Sequence, residues 1–472
     1  MDATDLAFAG LERQAELIRS GEVGSEELVE LYLERIARLD PTLNSYRIVF
    51  ADRALAEARQ ADGRARAGDT RPLLGVPIAV KDDIDIGGEV TAMGSDAVDA
   101  PAPADAEVVR RLRSAGAVIL GKTNVPELTI MPFTESPTFG VTRNPWDLQR
   151  TPGGSSGGSG AAVAAGLCAA ALGSDGAGSI RIPAGCCGLF GLKAQRGRVP
   201  TSPAKAPWHG MAIWGPLARR VIDSARFYDA IRDGGRPFAE AAQREPGRLR
   251  IALAPAAPPN SGVRADAEQL GGFESTASLL RELGHEVVER PLDYPTSAAP
   301  NVLARYLNGI YVEARAKPHP ERLSRRTKGY MRIGRSIPPA VVRRAVAAAE
   351  ADGAVVNGVF DEGFDVAMTP MFTRRPLRVG EYEGRGAPWT LAGTVRFVPW
   401  CGLFNHTGQP AAAVPAGFAG DGFPLSVQLI AAPQNEDVLL SLSAQLERAR
   451  EWAAHVPAIA SGAVTSAKRE AE

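Results

Sequence analysis

Histidine and cysteine, the residues that most often hold metals or share nucleophilic work, are scarce. His209, His285, His319, His406 and His455 are the only five histidines in 472 residues, and Cys168, Cys186, Cys187 and Cys401 the only four cysteines. None of them falls into a metal-ligand spacing, so a metal centre and a disulfide framework are both excluded. The cysteines read as buried thiols of a reducing compartment, with a thiol nucleophile at Cys186 or Cys187 as the alternative. Lysine is scarce too, seven against 46 arginines. Arginine cannot surrender its proton, so a lysine kept in an apolar setting is eligible to act as a base. A net charge of −1 gives no pull toward nucleic acid or an anionic membrane. The opening MDATDLAFAGLERQ lacks the cationic start and apolar run of a secretory leader, which predicts a cytoplasmic protein. Residues 151–174 carry no charge over a length that crosses a bilayer. Their first half is rich in proline, glycine and serine and the rest in alanine, so a short buried helix fits better.

Against these absences stand three motifs. GVPIAVKD is strand-like and ends near Lys81; PGGSSGGSG carries Ser155 and Ser156; GSDGAGSIRIPAG carries Asp175, Ser179 and Arg181. A serine hydroxyl attacks a carbonyl only with a base to take its proton. Lysine serves if burial keeps it neutral, at a cost of about 4 to 5 kcal/mol near neutral pH unless its pKa falls. Val76, Ile78, Ala79 and Val80 supply the burial, and strand alternation points Asp82 away from Lys81, sparing it an adjacent carboxylate.

Each motif has competing readings. A Gly/Ser-rich run is most often a linker. A phosphate loop needs a closing Gly-Lys-Ser/Thr, which is missing. Gly153-Gly154-Ser155-Ser156-Gly157 also spells G-x-S-x-G, but TRNPWDLQRTPG before it is a poor strand, and the elbow needs a downstream histidine, for which His406 is the best candidate.

Taken together, the motifs resemble those of the amidase signature family, over about 75–217 and again over about 403–440. The resemblance implies Ser179 as nucleophile, Ser155 as bridging serine after a cis Gly154–Ser155 peptide, and Lys81 as general base, with Ser156 supporting the relay by hydrogen bonding. It implies an oxyanion hole from the backbone N–H groups of Gly176, Ala177, Gly178 and Ser179, and a bracing pair in Asp175 and Arg181. The family's usual Asp-Thr-Gly-Gly-Ser is here Asp175-Gly176-Ala177-Gly178-Ser179. The alanine is tolerated if its backbone does not need a positive φ, and a similar run occurs in the family's cyclic nylon-oligomer amidases. Lys122 and Lys193 match positions read as structural, and Asn405, Thr407, Gly408 and Pro410 a motif that orders the C-terminal part of the sheet.

Alternating helix and strand signals predict an α/β protein, which the resemblance specifies as an α/β/α sandwich with a large mixed central sheet. Ser25 is expected to cap a helix ending at Pro41, 160–172 to form a small-residue helix, and 435–448 a last amphipathic one. The chain is expected to form one domain. Its catalytic core spans about 65–230 and 400–450, a variable substrate-shaping segment about 234–400, and a flexible tail 460–472. The basic run at 322–335 reads as a solvated helix face. Pocket candidates are Met131, Phe133, Trp208, Trp214, Trp389, Trp400 and Phe404. The implied activity is hydrolysis of a carboxylic amide, hydrazide, cyclic amide or ester through an acyl-enzyme, with no metal or cofactor and a small-molecule partner. A homodimer is the default oligomeric expectation. The alternatives are an amidotransferase A-type subunit of a tRNA-dependent complex, against which the short 199–215 connection counts, and a non-catalytic binding protein on the same fold.

Overall fold

The computed structural model describes residues 1–259 and 261–461; most of the expected tail lies outside the described residues. Eleven strands build the centre: β1 (Tyr46–Val49), β2 (Pro77–Lys81), β3 (Val118–Thr123), β4 (Ala170–Asp175), β5 (Gly191–Lys193), β6 (Ile213–Leu217), β7 (Arg250–Leu253), β8 (Glu286–Glu289), β9 (Val366–Pro370), β10 (Ala411–Phe418) and β11 (Pro424–Ala431). They form a five-stranded half in the order β1-β3-β2-β4-β6 and a six-stranded half in the order β8-β7-β9-β11-β10-β5. The halves meet edge to edge where Phe190 and Ala218 exchange backbone hydrogen bonds of 2.9 and 3.3 Å. β2 runs parallel to β3 and β4, whereas β1 and β6 are antiparallel to their neighbours, so the sheet is mixed as expected.

Residue alternation explains the layering. Ile78 and Val80 of β2, Ala170 and Leu172 of β4, and Ala412 and Val414 of β10 enter one apolar core. Ala79, Ala171 and Ala413, one step out of phase, enter a second. A sheet buried on both faces needs a helical layer on each, which gives the α/β/α sandwich. Three strands of the 234–400 segment, β7, β8 and β9, belong to this sheet, while its helices Ala298–Arg315 and Ala387–Phe397 reach the cavity described below.

Two element expectations need correction. The first long helix runs Ser25–Leu43, through Pro41 rather than ending there. Ser25 is its first residue rather than its cap. Asp62 accepts the Ser25 and Glu26 N–H groups at 2.6 and 3.1 Å, while Ser25 Oγ donates to Gly75 O. The small-residue helix is Gly157–Ala164 only, because the chain turns at Gly166 and enters β4. Alanine suits both states, so the boundary was invisible in composition. The last helix, Glu436–Arg450, is where it was expected. In the helix Arg325–Arg335, Arg325, Arg332 and Arg335 are exposed, as a solvated face requires. No helix among the described residues is long and apolar enough to cross a membrane.

Candidate active site

β2 delivers Lys81 at its C-terminal end, wholly buried behind Val76, Ile78, Ala79 and Val80. Burial lowers the pKa of the ammonium, and the carboxylates of Asp83 and Asp175 partly oppose that. Lys81 Nζ lies 2.7 Å from Ser155 Oγ and 2.6 Å from Ser174 Oγ. Asp82 does turn away, to Lys122 at 3.0 Å and Arg47 at 2.7 Å. The lysine is nevertheless not free of a carboxylate: Asp83 Oδ2 stands 3.2 Å from Nζ. The strand ends at Lys81, and the turn that follows, closed by Ile84 N–H on Lys81 O at 3.2 Å, carries Asp83 back to the lysine.

Ser155 follows a cis Gly154–Ser155 peptide. A Cβ on Gly154 would lie 2.4 Å from Met131 O and 2.6 Å from Phe133 N, so the backbone passes where only glycine fits. Residues 142–156 form turns and isolated bridges rather than the strand that an elbow requires. His406 is fully buried. Its Nδ1 faces Arg305 Nη1 at 2.8 Å and its Nε2 faces Asp352 at 2.8 Å, so both ring nitrogens are committed away from the serines. The cysteine alternative fares no better, since burial pushes the Cys186 and Cys187 thiols well up.

Ser179 follows β4 and is half-buried, facing a cavity of about 920 Å³ that Ser155, Ser174, Gly176 and Ala177 also line. No hydrogen bond joins the Ser155 and Ser179 hydroxyls among the described residues; such contacts often tighten only with substrate bound. Ser156 does not bond the relay hydroxyls. Its Oγ donates to Ser174 O (3.2 Å) and its N–H to Ser179 O (3.3 Å), tying the two serine loops together.

The loop at 175–181 wraps the Asp175 carboxylate. Gly178 N–H donates to Asp175 Oδ1 at 2.6 Å, and the N–H groups of Ile180 and Arg181 donate to Oδ2. Gly178 is therefore removed from the expected oxyanion donors, leaving Gly176, Ala177 and Ser179. Ala177 is absent from the residues with positive φ, so the alanine is unstrained. Gly178 has φ +119°, and a Cβ there would meet Cys401 Cβ at 2.8 Å. Arg181 binds Asp175 through Nε and Nη2, both at 3.0 Å. Burial by itself would raise the Asp175 pKa, but the Arg181 guanidinium and the Asn405 amide hold it well below the usual carboxylate range. Asn405, expected only to order the sheet, donates to Asp175 O and Oδ1 at 2.8 Å each and accepts from Arg181 at 2.6 Å. Lys193 is structural as expected, donating to Gln409 O at 2.6 Å.

Of the pocket candidates, Met131, Trp208 and Trp214 line the cavity. Phe133 instead stacks on Tyr382, Trp400 is buried with its indole N–H on Ala256 O, and Phe404 is core. Trp389 is 64% exposed, under Arg385. The wall that sequence reasoning missed comes from the helices of the variable segment, through Leu303, Tyr306 and Leu391, with Val398 just past the end of the second. Their apolar spacing is the same as that of any core-facing helix, so nothing in the sequence marked them.

Comparison with known proteins identifies the family. The amidase family model matches residues 27–440. A Mycobacterium tuberculosis (strain ATCC 25618 / H37Rv) protein named "Putative amidase AmiB2" is 52% identical over 462 residues, covering 97% of this chain and 100% of that one. The 6-aminohexanoate-cyclic-dimer hydrolase of Pseudomonas sp. (strain NK87) is 34% identical, covering 94% of this chain and 95% of its own. Among solved structures, a 6-aminohexanoate cyclic dimer hydrolase complexed with substrate superposes with a TM-score of 0.85 at 31% identity, over 96% of this chain and 99% of that one. A bacterial aryl acylamidase superposes with a TM-score of 0.83 at 25% identity, over 95% and 97%. The chain belongs to the amidase signature family and is an amide C–N hydrolase.

Proposed function

We propose that hydrolysis runs through an acyl-enzyme on Ser179, with Ser155 and Lys81 as its proton relay. The carrying observation is the 2.7 Å contact between Lys81 Nζ and Ser155 Oγ, at the wall of the cavity that Ser179 faces. Ser179 Oγ bonds to the acyl carbon as its proton passes to Ser155, whose own proton passes to neutral Lys81. The carbonyl π pair moves onto oxygen, where the N–H groups of Gly176, Ala177 and Ser179 receive it; each such donor is worth a few kcal/mol. Collapse breaks the C–N bond, and the leaving nitrogen takes the proton back from Lys81 through Ser155. Water then repeats the sequence on the ester and releases the acid and Ser179.

The substrate is an amide with a bulky apolar or cyclic body. The cavity is large for a small-molecule site, and Met131, Trp208, Leu303, Tyr306 and Leu391 give it apolar walls. The names of the relatives, a cyclic dimer hydrolase and an aryl acylamidase, support the same class.

Intact-mass labelling by a fluorophosphonate tests the mechanism, and a panel of aryl, medium-chain and cyclic amides tests the substrate. One adduct on the wild type, none on Ser179→Ala and slow labelling of Lys81→Ala are expected, with amide turnover by Ser179→Ala down about 10⁴-fold or more. Unchanged labelling of Ser179→Ala would assign the nucleophile elsewhere. Turnover of acetamide alone would remove the bulky-substrate reading.

A further inference from the structure

Lys81 has more neighbours than a proton relay needs, and their chemistry determines which way the amine faces. Around Nζ stand Ser155 Oγ at 2.7 Å, Ser174 Oγ at 2.6 Å and Asp83 Oδ2 at 3.2 Å. Ser174 and Asp83 also contact one another, with Ser174 Oγ donating to Asp83 Oδ2 at 2.6 Å.

We infer that Asp83 and Ser174 are positioning residues that aim the lone pair of neutral Lys81 at Ser155. Proton counting gives the direction. An ionised carboxylate only accepts, a hydroxyl has one hydrogen to give, and a neutral amine has two N–H bonds and one lone pair. The single Ser174 hydrogen goes to Asp83, so Ser174 must accept from Lys81. Asp83 accepts the second amine hydrogen. Both N–H bonds are then used on the side away from the nucleophile, and the lone pair is left for the Ser155 hydroxyl. When Lys81 takes the proton, its third N–H turns out to be the one facing Ser155. The same three oxygens now accept from an ammonium, with Asp83 as counter-charge. Both protonation states fit one arrangement of heavy atoms, so proton transfer needs no reorganisation of the lysine's surroundings.

The fold places these residues together. Asp83 lies two positions beyond Lys81, and Ser174 is the penultimate residue of β4, which pairs in parallel with β2. Of the other charged groups nearby, Asp175 is committed to Arg181 and Asn405, and Asp82 faces Lys122 and Arg47 on the opposite side. Asp83 is thus the carboxylate in direct contact with the base, and loss of its charge removes an influence that favours the ammonium.

The inference rests on the assignment of Lys81 as base, and the test separates the two. The second-order rate of fluorophosphonate labelling is measured against pH for wild type, Lys81→Ala, Asp83→Asn, Ser174→Ala and Ser174→Thr, with thermal melting to confirm folding. Asp83→Asn should move the acidic limb to lower pH and reduce the plateau about tenfold, the equivalent of one hydrogen bond to a charged group. Ser174→Ala should reduce the plateau to a similar extent, and Ser174→Thr, which keeps the hydroxyl, should restore it. If Asp83→Asn fails to fold, the Ser174 pair decides the matter. A slow Lys81→Ala beside wild-type profiles for Asp83→Asn and Ser174→Ala would overturn the positioning inference and leave the base in place. A Lys81→Ala that labels like the wild type would overturn both.

Discussion

Replacing Asn405 by leucine should loosen the oxyanion loop from a distance of more than two hundred residues in sequence. The amide has neighbours on both sides of the buried ion pair. It donates to Asp175 O and Oδ1 at 2.8 Å and accepts from Arg181 Nη2 at 2.6 Å. Leucine matches its size and removes all of these bonds. A bond to a charged partner is worth about 1.5 to 3 kcal/mol. Losing one to Asp175 and one from Arg181 therefore costs about 3 to 6 kcal/mol. At about 1 °C per kcal/mol for a chain of 472 residues, the apparent melting temperature at a fixed scan rate should fall about 3 to 6 °C. Asp175 also fixes the Gly178 N–H, so slack there displaces the adjoining donors, and one misplaced oxyanion donor typically costs a hundredfold or more. Fluorophosphonate labelling should slow by about 100-fold. Gln428→Leu is the control, because Gln428 accepts from Arg181 Nη1 at 2.6 Å without touching Asp175. It should lower the melting temperature with a much smaller loss of rate. An Asn405→Leu protein that melts early yet labels at the wild-type rate would refute the reasoning, because the clamp would then stabilise the fold without shaping the site.

Two further outcomes follow from groups outside the relay. Burial raises the Asp223 pKa from its ordinary value to about 7. Because the folded value exceeds the unfolded one, its contribution to stability is fully present below pH about 4 and lost as pH rises through about 7. A shift of about three units corresponds to roughly 4 kcal/mol, so Asp223→Asn should flatten the decline in denaturant midpoint between acid and mildly alkaline pH; a variant that declines like the wild type would contradict this. Trp208→Ala should raise KM for a bulky amide several-fold, because Trp208 lines the cavity and packs edge-on against Tyr306 at 5.0 Å. Trp389→Ala, on the exposed face, should change stability by no more than about 0.5 kcal/mol and leave KM unchanged; equal effects from both tryptophans would misplace the pocket.

What could be read from the sequence followed the range of the interactions involved. Lys81, Ser155 and Ser179 lie in motifs whose spacing is local, and alternation along β2 is enough to bury the lysine. β2 was legible for the same reason, whereas Ala170–Leu172 of β4 fell inside an expected helix. Asp83 was not legible, because the strand ends at Lys81 and a turn, which period-two geometry does not describe, brings the carboxylate back to the amine. Asn405 and the cavity helices could not have been found in this way. Their roles arise when the six-stranded half of the sheet docks on the five-stranded half, and an asparagine that clamps a buried ion pair is spelled like one that ends a helix. Aromatic residues misled for a related reason: bulk predicts burial, and Phe133, Trp400 and Phe404 are buried in the core instead of lining the cavity.

The clamp around Asp175 also bears on how the enzyme comes into being. Every residue of the proposed relay has been synthesised once the chain reaches Ser179, yet the partners that hold the loop, Asn405 and Gln428, are made in the last sixth of the polypeptide. With Ser179 and Lys81 as the proposed nucleophile and base, a chain still emerging from the ribosome should stay chemically silent until synthesis is nearly complete. On the same proposal, a fragment ending before residue 400 should keep Lys81, Ser155 and Ser179 but not the activity, and adding back the missing C-terminal strands as a separate peptide should restore it.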